Sequence, residues 1–140
     1  MSKLTIADYP LAETRPDQVK GKRGKTLAEI TLDAVIEGSV TMEDLRITPE
    51  ALTSQAEIAR AAGRPTLARN FERGAELVGV PQDFVMAVYE ILRPGRATSK
   101  QQLLDTARTM RETHKAERIA SFIEEAASTY EERGLFSRRF

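Results

Sequence analysis

The sequence predicts an all-α protein: an open helical bundle of three to four main helices with an extended N-terminal arm. Three observations carry that prediction. Apolar residues recur at spacings of three and four through several separate segments, as one face of a helix requires. Residues that start or stop helices bracket those segments, Thr48-Pro49 and Pro94-Gly95 among them. No segment alternates apolar and polar residues with the period of two that marks a half-buried strand.

Residues 1–25 read as the arm and residues 26–140 as the helical domain, within a single domain overall. Pro10 and Pro16 disfavour helix, and the run Lys20–Lys25 (KGKRGK) sets two glycines among four cations. Leu4, Ile6, Tyr9 and Leu11 are spaced apolar side chains for which a solvated tail has little use. An arm laid across another surface is therefore expected. Within 26–38, Thr31 is placed to cap a short helix carrying Leu32, Val35 and Ile36, and Gly38 suits the left-handed position that ends it. Thr41–Asp44 (TMED) opens one further turn by a weak capping motif.

Thr48-Pro49-Glu50 starts the next helix with a capping hydroxyl, a proline at the first helical position and an acid near the positive end of the dipole. Its stripe of Leu52, Ala56, Ala59 and Ala62 is narrow, and Gly63 ends it. Pro65 opens a helix with Leu67, Ala68, Phe71, Ala75 and Val78 on one face. Gly74 inside it costs about 1 kcal/mol relative to alanine and suggests close packing there. Pro81 starts another, with Phe84, Val85, Val88, Tyr89 and Leu92 as its apolar face. Ser99 with Gln102 forms a capping box, after which neither Pro nor Gly occurs until beyond Arg133. A continuous helix over 99–133 would be about 52 Å long. Its stripe slips, from Leu103, Ala107, Met110 and His114 to Ile119, Ile123, Ala126 and Tyr130, so a break is expected around Glu112–Lys115.

Composition excludes whole classes of function. The 140 residues hold 21 cations against 21 acids, so no net field draws the chain to nucleic acid or an anionic membrane. Cysteine is absent, which removes disulfides and thiolate chemistry. No apolar run approaches the roughly 20 residues that span a bilayer, and the N-terminus lacks a secretory apolar core, so a cytoplasmic protein is expected. The single histidine, His114, has no metal-ligand or catalytic company and reads as a packing or surface residue. Glu124-Glu125 and Glu131-Glu132 are adjacent pairs that diverge around a helix, a solvated face rather than an acid/base dyad. Glu43 and Asp44 likewise have no further acid nearby in sequence. The Gly21–Lys25 run lacks the spacing of a phosphate-binding loop and the aromatics of a nucleic-acid patch. Narrow stripes and long irregular termini leave apolar surface uncovered, which points to a subunit with a partner.

Ordered blocks along the chain carry a resemblance. They are Asp8-Tyr9-Pro10-Leu11-Ala12, Gly24-Lys25-Thr26-Leu27, Leu45–Glu50 (LRITPE), Gln55–Ala59 (QAEIA), Ala68–Arg73 (ARNFER), Ala75-Glu76-Leu77, Leu92-Arg93-Pro94 and Phe122–Ala126 (FIEEA). In that order they resemble the small (gamma) subunit of adenosylcobalamin-dependent diol and glycerol dehydratases. The chain departs from the family pattern at Gly95, where an aromatic is usual, and at Gly74, where alanine is usual.

The resemblance implies a dimer of heterotrimers in which this chain packs on a large barrel subunit, with adenosylcobalamin held between the large and medium subunits and none bound here. It implies radical 1,2-hydroxyl migration on 1,2-diols or glycerol, giving an aldehyde and water, with no catalytic, cofactor-binding or metal residue in this chain. Microcompartment relatives often carry a longer amphipathic extension before the first block, which this sequence is expected to lack. Tyr9, Pro10 and Leu11 are the expected interface anchors, with Arg69, Asn70 and Arg73 as polar contacts on a striped helix. A free-standing helical adaptor is the alternative, and a nucleic-acid binder using the basic arm a third reading.

Overall fold

Helix boundaries fall where local capping chemistry puts them. In a computed structural model that describes residues 3–136, the chain is α-helical with no strand among those residues; one isolated bridge pairs Lys20 with Thr26. Residues 137–140 of the expected helical domain lie outside the described residues. Contacts gather the chain into two compact units, Met1–Val78 and Gly79–Phe140.

The first unit holds α1 (Leu11–Thr14), α2 (Leu32–Ile36), α3 (Met42–Leu45), α4 (Pro49–Ala61) and α5 (Pro65–Leu77). The Thr31 hydroxyl accepts the Ala34 N–H and starts α2, Thr41 and Asp44 cap α3 reciprocally, and the Thr48 hydroxyl accepts the Ala51 N–H ahead of Pro49. Gly38 and Gly63 hold the left-handed φ values of 78° and 72° that end α2 and α4.

The principal packing of this unit is the antiparallel pair α4–α5, joined at Ala62–Arg64. Ala56, Ala59 and Ala68 are buried at its centre with Phe71 against them. These small side chains let the two helices approach closely, and Arg60 and Glu72 bridge the pair at 2.5 Å. Ala62 is exposed, so the stripe on α4 ends one turn earlier than the spacing predicts.

Gly74 faces Leu52 across the pair. A methyl added there would stand 3.5 Å from Leu52 Cδ1, an ordinary contact, so packing does not require glycine at this point. Gly74→Ala is therefore expected to stabilise the isolated chain by up to about 1 kcal/mol. Chemical denaturation measures it; a loss of stability would show that the helices sit closer than this.

The N-terminal arm is wound into short helical turns at Ile6–Asp8, Leu11–Thr14 and Pro16–Gln18. It lies on α4 of its own chain. Leu4 and Leu11 bury against Ile58, with Val19 alongside, and the Leu4 N–H donates to the Glu57 carboxylate at 3.2 Å. Ile58 lies off the predicted stripe and gives α4 a second buried face.

The second unit contains α6 (Gln82–Leu92), α7 (Lys100–Glu112) and α8 (Glu117–Glu132). The predicted break stands at 113–116, where Lys115 takes a φ of 57°, so the 99–133 segment is a hairpin rather than one long rod. Leu103, Ala107 and Met110 of α7 and Ala120, Ile123 and Ala127 of α8 are wholly buried. The buried line on α8 runs through Ala127, with Ala126 only partly covered. Arg111 closes the turn by donating to Glu117 and, through both terminal nitrogens, to Glu124 at 2.6 and 2.9 Å. Lys100 and Glu131 tie the open end at 2.6 Å. Glu124 and Glu131 are thus braces of the hairpin, where adjacency in sequence suggested a merely solvated face. The Gln102 carboxamide accepts the Thr98 N–H rather than that of Ser99, so the cap is staggered by one residue. Val88 is buried, but Tyr89 is exposed and not part of the covered face of α6. The Tyr130 hydroxyl donates to the Leu92 carbonyl.

Candidate partner interface

Short helices cannot bury all their apolar residues, and this chain has two in succession. α2 and α3 have five and four residues, and the chain packs its α4–α5 and α7–α8 pairs without them. Between them and around them, Leu27, Leu32, Val35, Ile36, Met42, Leu45 and Ile47 are all exposed. Leu32 and Ile36 are each 74% exposed and Met42 71%, values normal for a charged side chain rather than an aliphatic one. Seven of the exposed large apolar side chains among the described residues thus fall within residues 27–47. Exposed apolar surface of this kind, where it is continuous, marks an interaction site on a folded protein.

The segment carrying them is held by a charge clamp. Asp44, 2% exposed, accepts from Arg23 Nε at 2.8 Å and lies 2.7 Å from its second terminal nitrogen. It also accepts the Thr41 N–H at 2.8 Å, capping α3. The Arg23 guanidinium, then the Thr41 amide, hold its carboxyl below the usual carboxylate range. Arg23 donates further to the Ser39 carbonyl at 2.7 Å, and Lys22 pairs with Glu43 at 3.0 Å. Gly21 lets the loop approach, since a methyl there would stand 2.5 Å from the Asp44 carbonyl oxygen. The acids at 43 and 44 read as isolated in sequence. Their partners are Lys22 and Arg23, cations 21 residues upstream, so these two of the four cations of the basic run are engaged within the chain.

The residues predicted as interface contacts divide. Tyr9 is 62% exposed and Pro10 half-buried, whereas Leu11 is buried inside its own unit and offers no surface. Its apolar side chain is consumed by Leu4 and Ile58. On α5, Arg69 donates to the Thr66 hydroxyl at 3.2 Å and Arg73 to the Asn70 carbonyl at 3.3 Å, with Arg69 and Asn70 exposed. In the second unit the His114 ring lies 5.1 Å from that of Phe84, a packing contact. Among the described residues no three of His, Cys, Asp and Glu stand close enough to hold a metal ion. None of the helices among them is long and apolar enough to cross a membrane.

Comparison with known proteins identifies the family. The family described as dehydratase small subunit matches residues 4–137. The chain is 48% identical over 128 residues to the propanediol dehydratase small subunit of Citrobacter freundii, covering 91% of this chain and 74% of that protein. The Salmonella typhimurium propanediol dehydratase small subunit is 48% identical over the same share of this chain and 73% of its own length. This chain belongs to the dehydratase small-subunit family. Membership bears out the resemblance to diol dehydratase small subunits. The density of apolar residues between Gly24 and Thr48, in elements too short to bury them, was the signal of the exposed segment in the sequence.

Proposed function

We propose that this chain is the non-catalytic small subunit of a propanediol or glycerol dehydratase, whose role is to assemble with and stabilise the large subunit. The observation that carries this reading is the 48% identity across 91% of the chain to small subunits of propanediol dehydratases. The exposed apolar segment 27–47 supports it, because a chain of this kind is finished by a partner. The complex is a dimer of heterotrimers, working in the cytoplasm. The reaction is radical 1,2-hydroxyl migration on a vicinal diol, releasing water and an aldehyde.

The carbon-centred radical chemistry that adenosylcobalamin supplies is assigned to the large and medium subunits. Residues of this chain do not fit the group, since its one imidazole is packed against Phe84 and, among the described residues, no three of His, Cys, Asp and Glu gather to hold a metal ion. Tyr9, Pro10, Arg69, Asn70 and Arg73 remain proposed partner contacts. Co-expression with the large and medium subunits tests the reading. Co-elution of all three on size exclusion is expected, and a chain that elutes alone under every condition would overturn it.

A further inference from the structure

We infer that α2 is the docking helix and that it meets an apolar surface bordered by Lys or Arg on another dehydratase subunit, an inference that rests on the function proposed above. Leu32 and Ile36 are four residues apart and so stack on one stripe of α2. Asp33 and Glu37 stack on the adjoining stripe with the same spacing. The other acids of the segment are spent internally: Glu29 caps Thr26, Glu43 pairs with Lys22 and Arg46, and Asp44 pairs with Arg23. Neither Asp33 nor Glu37 takes part in an ion pair among the described residues. α2 thus displays an apolar ridge edged by uncompensated negative charge.

That charge decides the kind of partner. A second copy docking with α2 at the two-fold axis would bring Asp33 and Glu37 close to their own equivalents, because in such an interface the same patch faces itself. Like charges opposed across an interface are penalised, whereas a cation-edged apolar surface satisfies both stripes at once.

The test uses the full chain co-expressed with the large and medium subunits. Leu32→Asp with Ile36→Asp is expected to weaken association at least about a hundredfold, as loss of central apolar anchors does. Both positions are exposed, so helicity and melting of the isolated chain should stay as in the wild type. Asp33→Lys with Glu37→Lys is expected to weaken association about tenfold at low salt, with the deficit shrinking as salt rises towards about 0.5 M. Wild-type chain that fails to co-elute would remove both the proposed function and this inference. Wild type that co-elutes, with both variants binding equally well, would remove only the inference. A dimer of the isolated chain that Ile36→Asp dissolves would identify a second copy as the occupant and also overturn it.

Discussion

Ile123→Ala is expected to destabilise the Gly79–Phe140 unit by about 2–5 kcal/mol, a large fraction of what a small domain has. Ile123 is wholly buried on α8, in the same core as Leu103 and Met110 of α7. Truncation removes the transfer free energy of the lost carbons and leaves a cavity that the hairpin can close only partly. Leu103→Ala should behave alike, and Ile123→Val should cost only about 0.5–1.5 kcal/mol. The instructive contrast is Ile36→Ala, at a residue 74% exposed, which should change the isolated chain's stability by no more than about 0.5 kcal/mol. Denaturant melts of the four variants measure this. Equal losses at 36 and 123 would mean that α2 is covered by its own chain.

Removing Arg23 is expected to loosen residues 20–47 while leaving the α4–α5 pair folded. Arg23→Ala strands a carboxylate whose side chain is fully covered, and an unpaired buried charge is costlier than a missing pair. Asp44→Asn should be milder, because the amide oxygen can still accept the Thr41 N–H. Hydrogen exchange checks the prediction: protection should fall for amides of α3 and not for those of α4. Unchanged protection in α3 would show that Val40, buried beside the clamp, is a sufficient anchor alone.

Acid should act through the same group. Asp44 has a folded-state pKa lowered from its ordinary value, chiefly by Arg23. A depressed carboxylate contributes stability that is complete above the unfolded pKa and lost as pH falls through the folded one. The segment should therefore hold at neutral pH, begin to weaken below about pH 4, and open as pH falls on through the lowered folded-state value, before α4 and α5 melt.

Punctuation of the fold was legible because caps are local. Thr31, Thr48, Ser99, Gly38, Gly63 and Gly95 act on groups within a few residues, and each does what its type predicts. The break between α7 and α8 was legible from a slipped stripe. Burial was less so, because it depends on contacts distant in sequence. Ile58 is buried because the arm returns to it, and Tyr89 is exposed although its spacing places it beside Val88. The clamp was illegible for the same reason, since nothing in KGKRGK or TMED names the other. Leu11 was expected to anchor a partner interface because an arm rich in apolar residues needs a bed, and its own α4 provides one. The candidate interface at α2 left only the density of apolar residues between Gly24 and Thr48 as its signal, because helix caps report that a helix forms and not what covers it.

Aldehyde formation from 1,2-propanediol by the large and medium subunits with adenosylcobalamin, measured with and without this chain, tests the central claim most directly. Activity should be low without the chain, restored on adding it, and absent from the chain alone. Full activity of the two other subunits in its absence, or no gain on adding it, would contradict a role as their small subunit.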